Sequence, residues 1–327
     1  MTDPADRSAG PDAADARPRR ARRTLPPDPP PPAASAALAG QARDLPLDAH
    51  VHTDLSPDSD VPIDDYAAQA VARGIAEIAV TDHVDFAPDM PAYAFASFEE
   101  RERIVRDAAE RWGPRGVAIR FGVEISYDSA HEADIREHLA AHQYDYVIGS
   151  VHVFSSSPYA AANVESWAAG RPLRAVVEPY FDEVLLAIHT ELFDTIGHLD
   201  FVKRYLFPHV LPADLAAAPE LYEPLLVALV ETGTALEVNT SGLRHVPAET
   251  YPAAAIVERY QVLGGTAVSA GSDSHRSGSF TSGLDEGYRV VAAAGFEHLA
   301  VRRGGSRVAV ALPDRYRTPG GAHGERT

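Results

Sequence analysis

Six of the fourteen histidines in this 327-residue chain fall at or just beyond the C-terminal end of a short apolar run: His50, His52, His83, His152, His198 and His275. Glu124 and Asp273 take equivalent positions. In Asp48-Ala49-His50-Val51-His52 the two histidines stand two apart, so on a strand both rings point to one side and can chelate one ion. Asp273 and His275 repeat that spacing, and Asp58 follows the first pair in a Ser56-Pro57-Asp58-Ser59 loop. His83 closes Thr81-Asp82-His83, and Glu124 ends a buried-looking run after Gly122-Val123. A buried carboxylate is costly without a partner, and a metal ion supplies one. Taken singly, each histidine is better read as a core residue and Asp58 as a turn former. Taken together, six imidazoles and three carboxylates read as a metal centre. About four to six donors satisfy one ion, so nine imply two or three ions, with Glu124 the natural bridge. Imidazole and carboxylate suit Zn, Mn and Fe alike, and the chain has no cysteine to offer a thiolate. The histidines at 131, 138 and 142 lie on a predicted helix and are expected to face solvent.

These residues need elements to bring them together. Apolar, β-branched runs predict strands at Leu47–Thr53, Ile75–His83, Ala118–Ser126, Tyr144–His152, Asp194–Asp200, Ala235–Thr240 and Ala267–His275. Amphipathic stretches near 62–73, 97–112, 131–142, 174–191, 219–232, 249–263 and 284–294 predict helices. Repeated strand-then-helix units imply a parallel sheet, and seven or eight of them in about 280 residues suggest a closed α/β barrel. In such barrels the C-terminal strand ends form the active face, so the nine residues would converge there.

Composition narrows the partners. A formal net charge of −18 argues against nucleic acid or an anionic membrane, and does not argue against a small phosphate, which a local cationic site can bind. No apolar run is long enough to span a membrane and no secretory leader is evident, so a cytoplasmic protein, monomeric or homodimeric, is expected. Residues 1–44 are rich in Pro, Ala, Asp and Arg, with five arginines between Arg17 and Arg23, and are expected to be a disordered tail. Residues 318–327 are expected to be a second flexible tail, leaving one domain over 45–317.

The ordered set His50-x-His52, Thr81-Asp82-His83, Glu124, Ser150-Val151-His152, Gly197-His198 and Asp273-x-His275 resembles the PHP (polymerase and histidinol phosphatase) superfamily. Within it, Gly197–Tyr205 and Glu237–Arg244 look like the histidinol-phosphatases. The resemblance covers about residues 46–312 and implies a distorted (β/α)7 barrel with a trinuclear site. It implies one ion on His50, His52, Glu124 and Asp273, a second on Glu124, His152 and His198, and a third on Asp58, His83 and His275. Many PHP proteins carry histidine where this chain has Asp58. The activity implied is hydrolysis of L-histidinol phosphate to L-histidinol and phosphate, in histidine biosynthesis, by attack of a metal-activated hydroxide. Glu124, Asp273 and Asp200 are the expected catalytic carboxylates. Arg204 and Arg244, each just after a strand-end motif, are the expected phosphate contacts. Other PHP phosphoesterases share the metal motifs, so a nucleotide or another small phosphate ester is the alternative substrate. A non-catalytic module is the reading from another class, and retention of all nine donors argues against it.

Overall fold

The structure, a computed structural model, describes residues 43–155, 157–159 and 164–316. The expected tails therefore lie outside the described residues except for Arg43 and Asp44. Eight parallel strands form the central sheet: β1 (Asp48–Val51), β2 (Glu77–Val80), β3 (His83–Val84), β4 (Ala118–Ser126), β5 (Tyr146–Ser150), β6 (Thr195–Ile196), β7 (Ala235–Asn239) and β8 (Val268–Gly271). Their order is β1-β2-β4-β5-β6-β7-β8, with β3 a short continuation that also pairs β4. The sheet returns on itself: the Asp273 amide donates to His50 O (2.8 Å) and the His52 amide to Ser274 O (2.9 Å). The expected barrel of seven strands is thus formed, and it closes at the pair of segments that carry four of the nine donor residues.

The wrapping helices follow from ordinary local signals. Helix α1 (Ile63–Arg73) has Asp64 and Asp65 in its first turn, Arg73 in its last and Gly74 in the left-handed conformation that ends it. Helix α2 (Phe98–Trp112) starts where Ser97 Oγ accepts from the Glu100 amide (3.1 Å). Helices α3 (Glu132–Ala141), α4 (Val164–Ala168), α5 (Leu173–His189), α6 (Val202–Leu206), α7 (Pro212–Ala216), α8 (Pro219–Thr232), α9 (Ala254–Val262) and α10 (Leu284–Ala293) complete the layer. They bury the apolar faces of the strands in one continuous core. Among the described residues, no helix is long and apolar enough to cross a membrane.

The short helices α4, α6 and α7 and a terminal hairpin lie outside the predicted elements. An antiparallel hairpin of β9 (His298–Arg303) and β10 (Ser306–Ala311) packs by the N-terminal strand ends, opposite the histidines. Leu299 and Val301 are buried there, and Arg303 pairs with Glu77 (2.8 Å) at the start of β2. The floor of the barrel is therefore sealed, and the C-terminal face is left to open to solvent.

Candidate metal centre

The C-terminal strand ends place all nine expected donors in one cluster. His50 lies within β1 and His52 follows it, His83 opens β3, Glu124 lies within β4, and His152 and His198 follow β5 and β6. Asp273 and His275 follow β8, and Asp58 reaches in from the loop after β1. His50, His52, Glu124 and His198 are buried, whereas Asp58, His83, His152 and His275 are partly exposed. The cluster thus has a dry floor and a wet rim.

Glu124 sits at its centre. Its Oε2 is 3.3 Å from both His50 Nε2 and His52 Nε2 and 2.9 Å from His83 Nδ1. Its Oε1 is 3.0 Å from His198 Nε2 and 3.7 Å from His152 Nε2. Asp273 Oδ1 is 3.4 Å from His52 Nε2 and 3.8 Å from His50 Nε2. At the rim, Asp58 Oδ2 lies 3.1 Å from His275 Nε2 and 3.3 Å from His83 Nε2. Three donor groups lie within 4.8 Å of one another: His52, His83 and His275; His50, His52 and Asp273; and His83, Glu124 and His152.

The electrostatics ask for more cation than the side chains supply. Burial alone would raise the Glu124 pKa, but His50, His83 and His152 override it and hold it well below the carboxylate range. Asp273 is likewise held down, against its burial, chiefly by His50. Burial opposes charge on His50 and His83, yet Glu237 and Glu124 around the first, and Asp58 and Glu124 around the second, raise both pKa values. Burial instead lowers His52, helped by His275 and His83, and pushes His152 down to about 3. Ionised carboxylates that draw protons onto His50 and His83 mark a surplus of negative charge that divalent ions would offset, and His52 and His152 are already neutral donors. Several donor atoms are also left over: buried Glu124 Oε2, Asp58 Oδ1 and His83 Nδ1 make no aligned hydrogen bond despite their close neighbours. The residues present therefore fit divalent metal ions.

The support is equally specific. Ser150 Oγ donates to Glu124 Oε1 (2.5 Å), and Ser126 Oγ lies 3.1 Å from His152 Nδ1. Asp82 accepts from the Thr53 amide (2.6 Å), Thr53 Oγ1 (2.8 Å) and Ser56 Oγ (2.9 Å), and Ser56 Oγ is 3.3 Å from His52 Nδ1. Asp48 accepts from the Ser272 amide (2.8 Å) and so ties β1 to the turn carrying Asp273. His198 (φ 24°) and Asp273 (φ 51°) adopt left-handed backbone, a strain that persists where the surroundings fix it.

The remaining expected residues border the cluster. Arg244 donates from Nη2 to Ser272 O (2.8 Å) and Asp273 O (3.0 Å), bracing that turn. The Arg204 guanidinium lies 5.3 Å from the Phe201 ring, which in turn lies 4.5 Å from the His198 ring. Asp200 is buried, accepts from Lys203 Nζ (2.8 Å) and leaves Oδ1 without a hydrogen-bond partner. Burial raises its pKa against the pull of Lys203. His138 and His142 do not face open solvent as expected. His138 lies 2.9 Å from Tyr144 Oη, and His142 packs on Phe98 with centroids 4.2 Å apart. Glu237 was missed as a site residue. It lies on β7 with Oε1 2.6 Å from His50 Nδ1. Its signal was the same one that singled out Glu124, a carboxylate in an apolar strand.

Comparison with known proteins places this arrangement. The PHP domain family matches residues 48–241. The chain belongs to the PHP domain family. A probable histidinol-phosphatase of Thermotoga maritima is 30% identical over 256 residues, covering 78% of this chain and 95% of that protein. The histidinol-phosphatase of Lactococcus lactis subsp. lactis is 25% identical over 271 residues, covering 79% and 94%. A crystal structure of histidinol phosphate phosphatase from that organism, complexed with zinc, L-histidinol and phosphate, superposes on this PHP chain with a TM-score of 0.69 at 24% identity. It covers 80% of this chain and 98% of that one, and establishes the shared barrel.

Proposed function

We propose that this chain is a metal-dependent phosphomonoesterase that hydrolyses L-histidinol phosphate to L-histidinol and phosphate. The observation that carries the reading is the convergence of nine imidazole and carboxylate residues on one end of a PHP barrel. Its substrate is supported by the histidinol-phosphatases that match nearly their full length. In this reading residues 45–317 carry the activity and the two tails do not.

His50, His52, Glu124 and Asp273 would hold one ion, Glu124, His152 and His198 a second, and Asp58, His83 and His275 a third. Contacts of 2.9–3.8 Å link members within the sets, and His83 Nδ1 to Glu124 Oε2 (2.9 Å) and His275 Nδ1 to Asp273 Oδ1 (3.3 Å) join the third set to the others, as a shared multinuclear site would need. Two or three divalent ions (Zn, Mn or Fe) would neutralise phosphoryl oxygens and lower the pKa of an attacking water. Hydrolysis of a phosphate monoester needs on the order of 20 kcal/mol of transition-state stabilisation, so a dry, charged floor is the feature to expect. Arg204 and Arg244 would bind phosphoryl oxygens and fix the ester for in-line attack. Asp200, buried and with Oδ1 unbonded, would hold a proton for the leaving oxygen.

Metal dependence is the first test. Protein stripped by a chelator and shown metal-free by elemental analysis should release phosphate from L-histidinol phosphate at under ~1% of its starting rate. Adding back Zn, Mn or Fe(II) should restore it. A metal-free protein with undiminished turnover would exclude the reading.

A further inference from the structure

Glu237 makes three contacts that no other carboxylate of the barrel interior duplicates among the described residues. Its Oε1 faces His50 Nδ1 at 2.6 Å. Its Oε2 accepts from the His198 amide (2.9 Å) and from Asn239 Nδ2 (3.1 Å). Asn239 Nδ2 in turn lies 3.3 Å from Asp273 Oδ2. One buried side chain on β7 thus touches β1 and the segment after β6, and reaches the segment after β8 through one amide. The neighbouring strand β8 is cut back beside it. A Cβ on Gly271 would stand 2.9 Å from Glu237 Oε1 and 2.3 Å from His50 Cβ, whereas one on Gly197 would meet Ser150 Oγ (2.3 Å) before Glu237 Oε2 (3.4 Å). At Gly271 the Glu237 carboxylate and the His50 side chain occupy the room that any side chain would take.

We propose that Glu237 is a positioning residue for the metal centre: it holds His50 with the proton on Nδ1 and Nε2 turned to the cluster, and it fixes His198 and Asp273 in register with it. The proposal rests on the metal-centre reading above. Its chemistry is that of a carboxylate bonded to the far nitrogen of a ligating imidazole, which sets the tautomer, locks the ring and makes Nε2 a better donor. All three partners of Glu237 are donors, and it offers two acceptor oxygens. Glutamine offers one, so in either orientation its NH2 group faces a donor, either His50 Nδ1–H or the His198 amide with Asn239.

The test is zinc affinity of Glu237→Gln, measured by competition with a chelator. Glu183→Gln serves as a control, because Glu183 is also buried but bonds only Ser129 among the contacts described. The expected result is a loss of about 10- to 100-fold in affinity for Glu237→Gln and none for Glu183→Gln, at equal helix content in the metal-free state. Unchanged affinity in Glu237→Gln, with zinc binding normally to the parent, would overturn the proposal. Failure of the parent itself to bind zinc would overturn the metal-centre reading instead. If Glu237→Gln does not fold, 15N-histidine spectra of the zinc-loaded parent decide: His50 protonated at Nδ1 supports the proposal, and His50 protonated at Nε2 refutes it.

Discussion

Replacing Glu124 with glutamine should lower phosphate release from L-histidinol phosphate by at least ~10,000-fold, about 5.5 kcal/mol of transition-state stabilisation. The size of the effect follows from its position. Glu124 is the residue whose two oxygens face five imidazoles, those of His50, His52 and His83 on one side and His198 and His152 on the other. Glutamine keeps the shape but presents an NH2 group to one of those sets. It also removes one of the negative charges that make the cluster attractive to divalent ions. The loss should therefore appear twice, as reduced turnover and as fewer ions retained per chain by elemental analysis. Full metal content with full turnover in Glu124→Gln would remove the bridging role from this residue.

The second large effect is expected at His52. Its Nε2 lies 2.9 Å from His50 Nε2, and its ring stacks on His275 at 4.1 Å and His83 at 4.3 Å. It joins the buried floor to the partly exposed rim, and it belongs to two of the three donor groups. His52→Ala should cost at least ~1,000-fold in kcat, about 4 kcal/mol. The fold should survive, because burial of apolar strand and helix faces holds it and the imidazole cluster lies outside that core. The void left behind should cost roughly 1–3 kcal/mol of stability. Turnover and circular dichroism on the same sample separate the two outcomes. A fully active His52→Ala protein would show that the cluster is misassigned.

The sequence carried the parts of this structure that repeat and hid those that depend on a distant partner. Each of the seven barrel strands lies within its predicted run, because a parallel strand buried on both faces is a continuous apolar segment. The donor residues were legible for a related reason: a charged or imidazole side chain at the end of such a run has no cheap apolar explanation. The β9–β10 hairpin left a signal that was not used, Gly304-Gly305 between two alternating runs. The role of Glu237 was hidden more deeply. Its partner His50 is 187 residues away, and only closure of the barrel brings β7 beneath β1. Asp82, next to the donor His83, was equally out of reach: its three donors from Thr53 and Ser56 show it bracing the loop after β1. His138 and His142 were misjudged because the residues that cover them, Tyr144 and Phe98, come from a neighbouring loop and helix.

The central claim is that the metal centre serves one phosphate monoester. The most direct measurement is kcat/KM for phosphate release across L-histidinol phosphate, AMP, other mononucleotides and an aryl phosphate, with protein of measured metal content. L-histidinol phosphate should be preferred by about 100-fold or more over each of the others, a discrimination of roughly 3 kcal/mol that a site built to bond one substrate's polar groups can reach. A preference for nucleotides, or equal rates across the panel, would contradict it.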